Sequence, residues 1–171
     1  MKCSVIEGEG SIQMFTNKIV PNNTGITLED LTAIEKEYDF KFPEDIKEFY
    51  LKYNAGKLEK RVVRLQVDDW IGYTTFGEFY SVKTGDFTLE QKLEMQYEDD
   101  WRIRWKWLVP FGSDEGGEDF CFSIRDCDYG YIYYFESDNL DEDNPENSVI
   151  KVGDNFTDFI NNMVSNDSIE L

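Results

Sequence analysis

The chain contains no histidine, and this absence excludes several kinds of active site. Serine and cysteine hydrolases use an imidazole as general base, and helical zinc peptidases bind their metal through histidines. The three cysteines, Cys3, Cys121 and Cys127, include no Cys-x-x-Cys pair, so a thiolate zinc site is not expected. Without an imidazole to activate them, the thiols are not expected to act as nucleophiles. We therefore expect no catalytic residue, no metal and no cofactor.

Basic residues are also scarce, with 17 Lys plus Arg against 36 Asp plus Glu, a formal net charge of −19. This charge opposes binding to nucleic-acid phosphates and to anionic membranes, and it favours a basic protein partner. No apolar run approaches the roughly 20 residues of a membrane span, and no signal-peptide apolar region follows Met1. An odd cysteine count without a disulfide framework is typical of a reducing compartment. We expect a cytoplasmic protein.

Aromatic residues, by contrast, are plentiful, with 4 Trp, 10 Tyr and 13 Phe. A disordered acidic chain would have few of them, so the composition indicates a folded core beneath a very acidic surface. The length of 171 residues is close to that of one domain, and neither a repeat nor a linker divides it. We predict a single domain over residues 1–171, with a core at about 26–165.

Four helices are predicted from capping residues and apolar spacing. Thr27 is a suitable N-cap for the first helix, Pro43 begins a second that closes near Gly56, and Thr88 begins a third that runs to Tyr97. Asn155 or Asp154 caps the last, which carries the apolar residues Phe156, Phe159, Ile160, Met163 and Val164.

Apolar alternation predicts a block of strands between these helices. The predicted segments are residues 61–67, 70–76, 79–83, 107–111, 119–124, 131–135 and 149–152, of which 70–76 and 79–83 are strands or extended connections. Residues 101–107, with strict alternation of apolar and basic side chains, are predicted as a further strand, although a helix would also place Trp101 and Trp105 on one face. The order predicts an α+β fold: an antiparallel sheet of about six strands, with an N-terminal helix pair and a C-terminal helix packed on it.

Three segments resemble the SUKH superfamily, the Smi/Knr-like domains. Residues 26–56 contain the family's hydrophobic-Pro-acidic-acidic step at 42–45 and end in Asn54-Ala55-Gly56, where the family more often has glycine in place of Ala55. Residues 107–124 are similar to its strand, acidic glycine turn and strand, with Glu118 inserted before Asp119. Residues 131–135 and 149–164 are similar to its closing strands and helix.

The resemblance implies an α+β fold and a role without catalysis. Bacterial members are typically immunity proteins that bind and neutralise a cognate toxin, often a nuclease or a deaminase, whereas fungal relatives act as scaffolds. A blocker of a nucleic-acid enzyme would present acidic surface to a basic cleft, which agrees with the net charge. The predicted partner is therefore a basic protein toxin. The alternative is that the chain is a non-enzymatic scaffold or signalling adaptor that binds a regulatory protein. The oligomeric state stays open.

Mixtures of acidic and aromatic residues are the candidate contacts with such a partner. Aromatic area supplies affinity at an interface, and carboxylates set orientation. The candidates are Asp68, Asp69, Trp70, Glu98, Asp99, Asp100, Asp114, Glu115, Glu118, Asp141 and Asp143. The simpler interpretation is that Trp70 and Trp101 belong to the core and that their acidic neighbours are solvated.

Other chemistry is less well supported by these residues. Carboxylates around Gly116-Gly117 could perform acid–base work in a hydrolase, but a local acidic turn requires no such role. The acidic loop at 138–147 lacks the spacing of an EF-hand, which favours a solvated loop over a calcium site. Interleaved cations and tryptophans at 101–107 could bind single-stranded nucleic acid, but the net charge opposes it.

Overall fold

A computed structural model describes residues 14–98, 103 and 105–169 of the chain. The helices of this part are α1 (Leu28–Tyr38), α2 (Glu44–Tyr53), α3 (Leu89–Tyr97) and α4 (Phe156–Asn161). The strands are β1 (Ile19–Val20), β2 (Lys57–Leu58), β3 (Val62–Val67), β4 (Trp70–Phe79), β5 (Leu108–Asp114), β6 (Asp119–Ser123), β7 (Ile132–Phe135) and β8 (Val149–Gly153).

Strands β3 to β8 form one six-stranded sheet in sequence order, and every neighbouring pair is antiparallel. Strands β1 and β2 form a separate two-stranded ribbon. The predicted α+β class and the sheet of about six strands are confirmed. Short connections between sequential strands explain this topology, since antiparallel neighbours can be joined by tight turns.

The helices begin where the capping residues predicted. Thr27 and Asp30 form a reciprocal capping box at α1, and Thr88 and Gln91 form another at α3. The side chain of Asn155 accepts a hydrogen bond from the backbone N–H of Asp158 at 2.8 Å and caps α4. These side chains satisfy backbone donors that have no partner within their helices.

The main core lies between the helices and one face of the sheet, and aromatic rings dominate it. The fully buried ring of Phe49 on α2 contacts Phe79 of β4 at a centroid distance of 4.7 Å and Phe156 of α4 at 4.9 Å. A smaller cluster covers the opposite face, around Tyr133 and Phe135 of β7. Strand β7 is therefore buried on both faces, as its apolar sequence predicted.

The strand predicted over residues 101–107 is wrong for the residues that can be described. Trp101, Arg102 and Arg104 lie outside the described residues, whereas Lys106 and Trp107 form a turn just before β5. Trp105 packs on Phe135 with ring centroids 6.0 Å apart, and Trp107 packs edge-on against Tyr133 at 5.9 Å. Both tryptophans cover the outer face of the sheet instead of alternating across it.

Strand β4 is longer than the predicted segment 70–76, because it continues through a bulge to Phe79. The rest of the predicted segment 79–83 is a connection and not a strand, with only an isolated bridge at Ser81. The register with β5 shifts between Phe76 and Glu78, and pairing then continues to Phe79. An extra residue at a bulge increases local twist. Further register shifts occur at 110–112 of β5 and at 132–133 of β7, and the sheet curves so that the edge strands β3 and β8 lie against each other.

Backbone hydrogen bonds from the C-terminal segment cover the beginning of the β3 edge. The N–H of Val62 donates to the carbonyl of Val164 at 3.0 Å, and the N–H of Val164 donates back at 3.1 Å. The remaining edge of β3 continues toward the hairpin turn at Asp68 and Asp69.

The turn after α2 has three successive residues with positive φ: Asn54 at 41°, Ala55 at 83° and Gly56 at 74°. A Cβ at position 56 would collide with the carbonyl oxygen of Val20, which explains the glycine there. Ala55 has the same left-handed backbone but retains a Cβ, which costs about 1–2 kcal/mol in this conformation.

Replacing Ala55 by glycine is expected to raise the free energy of unfolding by about 0.5–1 kcal/mol, because relief of the left-handed strain outweighs the lost methyl contact and the added freedom of the unfolded chain. Urea unfolding of A55G beside the parent chain measures this gain. The matched change Gly56→Ala should destabilise the fold. An A55G protein less stable than the parent would contradict the assignment of strain to Ala55.

Candidate functional site

A groove of about 530 Å³ opens where the two edges of the curved sheet approach each other. One wall is the tip of the β3–β4 hairpin, and the other is the segment from the end of β7 to the start of β8. The lining residues are Val67, Trp70, Glu136, Asn139, Glu146, Asn147, Val149 and Ile150. Apolar and acidic side chains thus share one concave surface.

Trp70 is the aromatic centre of this groove, and 54% of its surface is exposed. Its indole lies over the backbone of Gly72, two residues further along the same face of β4. A Cβ added at Gly72 would come within 2.5 Å of the indole Cζ2. The missing side chain at position 72 therefore makes room for the ring and supports it from one side.

The acidic wall, residues 136–147, carries six carboxylates and neither lysine nor arginine. Two 3-10 turns, Ser137–Asn139 and Pro145–Ser148, shape it. Asp141 organises its centre. This carboxylate accepts hydrogen bonds from the side chain of Asn147 at 2.8 Å and from the backbone N–H of Asn144 at 2.9 Å. These hydrogen bonds lower the pKa of Asp141, and the bond from Asn147 has the largest effect.

Arg125 fastens the acidic wall to the rest of the fold. Its guanidinium lies 3.6 Å from the ring centroid of Trp107 and pairs with Asp128 and with Glu146. Asp128 also accepts hydrogen bonds from the hydroxyls of Ser123 at 2.5 Å and Tyr133 at 2.7 Å. Burial opposes the charge of Asp128, but the bonds from Arg125, Ser123 and Tyr133 outweigh it and hold its pKa at about 2.

The structure brings some of the predicted contact residues to this groove. Trp70 lines it, Asp68 and Asp69 form the exposed turn of the adjacent hairpin, and Asp141 and Asp143 belong to the acidic wall. The two segments that contain these residues lie more than 70 positions apart in sequence, and the curvature of the sheet brings them together.

Other predicted residues lie elsewhere. Asp114 is buried, and its carboxylate accepts hydrogen bonds at 2.7 Å from both Thr74 and Tyr134. Glu115 pairs with Arg61 at 3.2 Å, and Glu118 accepts a hydrogen bond from the backbone N–H of Ser137 at 3.1 Å. Glu98 is exposed at the end of α3. Asp99 and Asp100 lie outside the described residues.

Val67, Glu136 and Gly72 are among the contributors to the groove that sequence reasoning missed. Val67 continues the apolar alternation of β3, which predicted a buried position, yet it is exposed at the hairpin tip. Glu136 directly follows a buried strand and precedes the predicted acidic loop. The Trp70-x-Gly72 spacing was the available signal, because a glycine two positions along a strand leaves space for a ring on the same face.

A second groove, of about 780 Å³, lies between the turn after α2 and the bulge of β4. It carries charges of both signs, with Lys57 and Arg61 opposed by Glu78. Its aromatic residues, Phe76 and Phe79, are buried. This groove therefore lacks the accessible ring and the single sign of charge that distinguish the first.

Within residues 14–98, 103 and 105–169, no group of three His, Cys, Asp or Glu side chains is placed to hold a metal ion. Helices in the same part of the chain are too short and too polar to cross a membrane. Burial, together with the nearby charge of Asp119, raises the pKa of the Cys121 thiol well above its usual value. That thiol is thus held in its neutral form, which is a poor nucleophile.

The six-stranded antiparallel sheet with helices on one face defines an α+β domain. The chain belongs to the SMI1 / KNR4 family (SUKH-1), whose family model matches residues 25–162. A search of curated proteins found no match. Family membership is consistent with an immunity protein that acts on a protein partner.

Proposed function

We propose that this chain is an immunity protein that binds a basic toxin and blocks its substrate cleft without catalysis. The observation that carries the proposal is the groove in which the exposed ring of Trp70 lies beside an acidic wall. Aromatic anchors ringed by polar groups are the usual centres of binding energy at protein interfaces. Family membership supports the same function.

Occlusion is the mechanism that this surface favours. A toxin that acts on nucleic acid needs a basic cleft for the phosphates of its substrate. The hairpin turn with Asp68 and Asp69 and the acidic wall at 136–147 present carboxylates on both sides of an apolar floor. Such a surface competes with phosphate for the same cations while the tryptophan contributes apolar contact.

Co-expression tests the proposal. Cells that produce the toxin encoded beside this gene should survive when the parent chain is present. Charge reversal at Asp69 and Asp143 should reduce that rescue, whereas reversal at the exposed helical residues Glu37 and Glu48 should preserve it. Failure of the folded parent chain to rescue cells from its genuine neighbour toxin would rule out the immunity function.

A signalling adaptor is the second candidate, because fungal scaffolds share the resemblance described above. Such an adaptor would bind a host regulatory protein through the same groove and give no rescue. Affinity capture from the native cell with the parent chain and with Trp70→Leu separates the two cases. Capture of a host protein that depends on Trp70, without toxin rescue, would favour the adaptor.

A further inference from the structure

The groove at the sheet edge has the chemistry of a pocket for one arginine side chain. We propose that it receives an arginine of the partner, whose guanidinium stacks on the open face of Trp70 and pairs with Glu136 and Glu146. The inference rests on the proposed function for the identity of the partner. The preference for arginine is a property of this chain and can be measured on the isolated protein.

The indole of Trp70 provides an accessible aromatic surface in the groove. Trp70 lines the groove with 54% of its surface exposed, and Gly72 supports the indole from behind. An indole held in this way offers one accessible face, and tryptophan is the best aromatic partner for a cation. A side chain that is already fixed loses little conformational entropy on binding, which preserves affinity.

Two carboxylates, those of Glu136 and Glu146, line the same groove. Glu136 accepts a hydrogen bond from the side-chain amide of Asn139 on Oε2, at 2.9 Å. Glu146 pairs with Arg125 through Oε1. Among the residues that the structure describes, the other oxygen of each carboxylate accepts no hydrogen bond. Two acceptors in one groove suit a guanidinium, whose five N–H donors form a rigid planar fork.

The chain itself contains the same arrangement on the adjacent turn. Arg125 stacks on Trp107 at 3.6 Å and pairs with the carboxylates of Asp128 and Glu146. Here an arginine, and not a lysine, fills the position between an indole and two acids. A guanidinium stacks flat on a ring and hydrogen-bonds through its edge at the same time, whereas a lysine ammonium is a point charge. This geometry favours arginine as the ligand of the groove.

Other occupants fit the groove less well. Phosphates of a nucleic acid or a membrane would meet the six carboxylates of the acidic wall and be repelled. A second copy would bring the same acidic wall, because residues 136–147 contain no basic side chain. Charge complementarity therefore points to a cationic side chain presented by another protein.

The test uses a blocked tripeptide, acetyl-Gly-Arg-Gly-amide, with the citrulline peptide as a neutral control of nearly the same shape. Peptide is titrated into the ¹⁵N-labelled chain while NMR follows the indole N–H of Trp70 and the amide of Val149. The Trp70→Phe variant assigns the indole signal. We expect saturable shifts with a dissociation constant on the order of millimolar for the arginine peptide. The citrulline peptide should cause no shift.

Variants then distinguish the contribution of the tryptophan ring to binding from that of the carboxylates. Gly72→Ala retains every charge and the tryptophan but displaces the indole, so affinity should fall about fivefold, as for Trp70→Leu. Matched controls should bind as the parent does: Gly25→Ala, where an added Cβ meets nothing within 4 Å, and Tyr73→Leu, which removes a half-exposed ring from the opposite face of β4.

Glu136→Gln combined with Glu146→Gln should also weaken binding, while Glu48→Gln on α2 should not. Equal affinity for the citrulline peptide, or unchanged binding by Gly72→Ala with the fold intact by circular dichroism, would overturn the arginine site. Such a result would leave the immunity function standing if toxin rescue succeeds. Specific arginine binding together with failed rescue would instead retain the site and remove the proposed function.

Discussion

Replacing Asp128 by asparagine is expected to lower the free energy of unfolding by about 3 kcal/mol at neutral pH, because Arg125 then loses its buried counter-charge. Asp128 is buried and accepts hydrogen bonds from Arg125, Ser123 and Tyr133. Asparagine carries no charge, so the donors of Arg125, Ser123 and Tyr133 lose the ionised acceptor that they bind in the parent chain. Urea unfolding at pH 7 measures the loss.

The same substitution should change how stability depends on acid. The pKa of Asp128 is lowered from 3.8 to about 2 in the folded chain, so its ionised form contributes about 2 kcal/mol at any pH above 4. That contribution is lost as pH falls from about 4 through 2, because the unfolded chain binds the proton first. The stability difference between parent and D128N should therefore shrink over this range and stay constant above it.

The matched control is Asp126→Asn, an exposed carboxylate in the same turn. Its effect should be below about 0.5 kcal/mol, as is usual for a surface substitution. A D128N protein as stable as D126N would show that Arg125 does not depend on Asp128. That result would also remove the argument that this network holds the acidic wall in place.

The second large effect concerns association with the toxin. Asp69→Lys combined with Asp143→Lys should reduce the association rate constant about 10- to 100-fold at low salt, because electrostatic steering raises such rates by similar factors. Asp69 is exposed in the hairpin turn next to one wall of the groove, and Asp143 is exposed in the segment that forms the other wall. Stopped-flow fluorescence with the purified toxin measures the rate, and added salt should reduce the difference between variant and parent.

Glu37→Lys combined with Glu48→Lys provides a control with the same change in net charge, from −19 to −15, since each reversal adds two units. These glutamates are exposed on α1 and α2, which do not line the groove. If both pairs slow association equally, the long-range field of the whole chain guides the toxin, and the groove has no special part in it.

Local signals in the sequence predicted much of the fold because their physical causes are local. Thr27 and Thr88 satisfy backbone donors within one helical turn, so the starts of α1 and α3 could be predicted from a few residues. The alternation of tryptophans at 101–107 failed as a strand signal. Trp105 and Trp107 follow the curved outer face of the sheet, and a pattern of polarity alone does not reveal that position.

The groove could be predicted only in part. Trp70 and the acidic loop were each evident as mixtures of aromatic and acidic residues. Their proximity depends on the curvature of the sheet, which contains three register shifts and is a property of the assembled strands. Asp114 illustrates the opposite case. Its sequence neighbours suggest a solvated turn, but Thr74 and Tyr134 from distant strands enclose it.

Strands β3 and β8 meet only in the folded sheet, so binding at the groove is coupled to the folding equilibrium of the chain. The two walls of the groove come from segments that are far apart in the chain, so the groove exists only when the sheet is folded. A ligand that recognises only the assembled form stabilises it by mass action. The melting temperature should therefore rise with toxin concentration, and amide exchange along both edge strands should slow together in the complex.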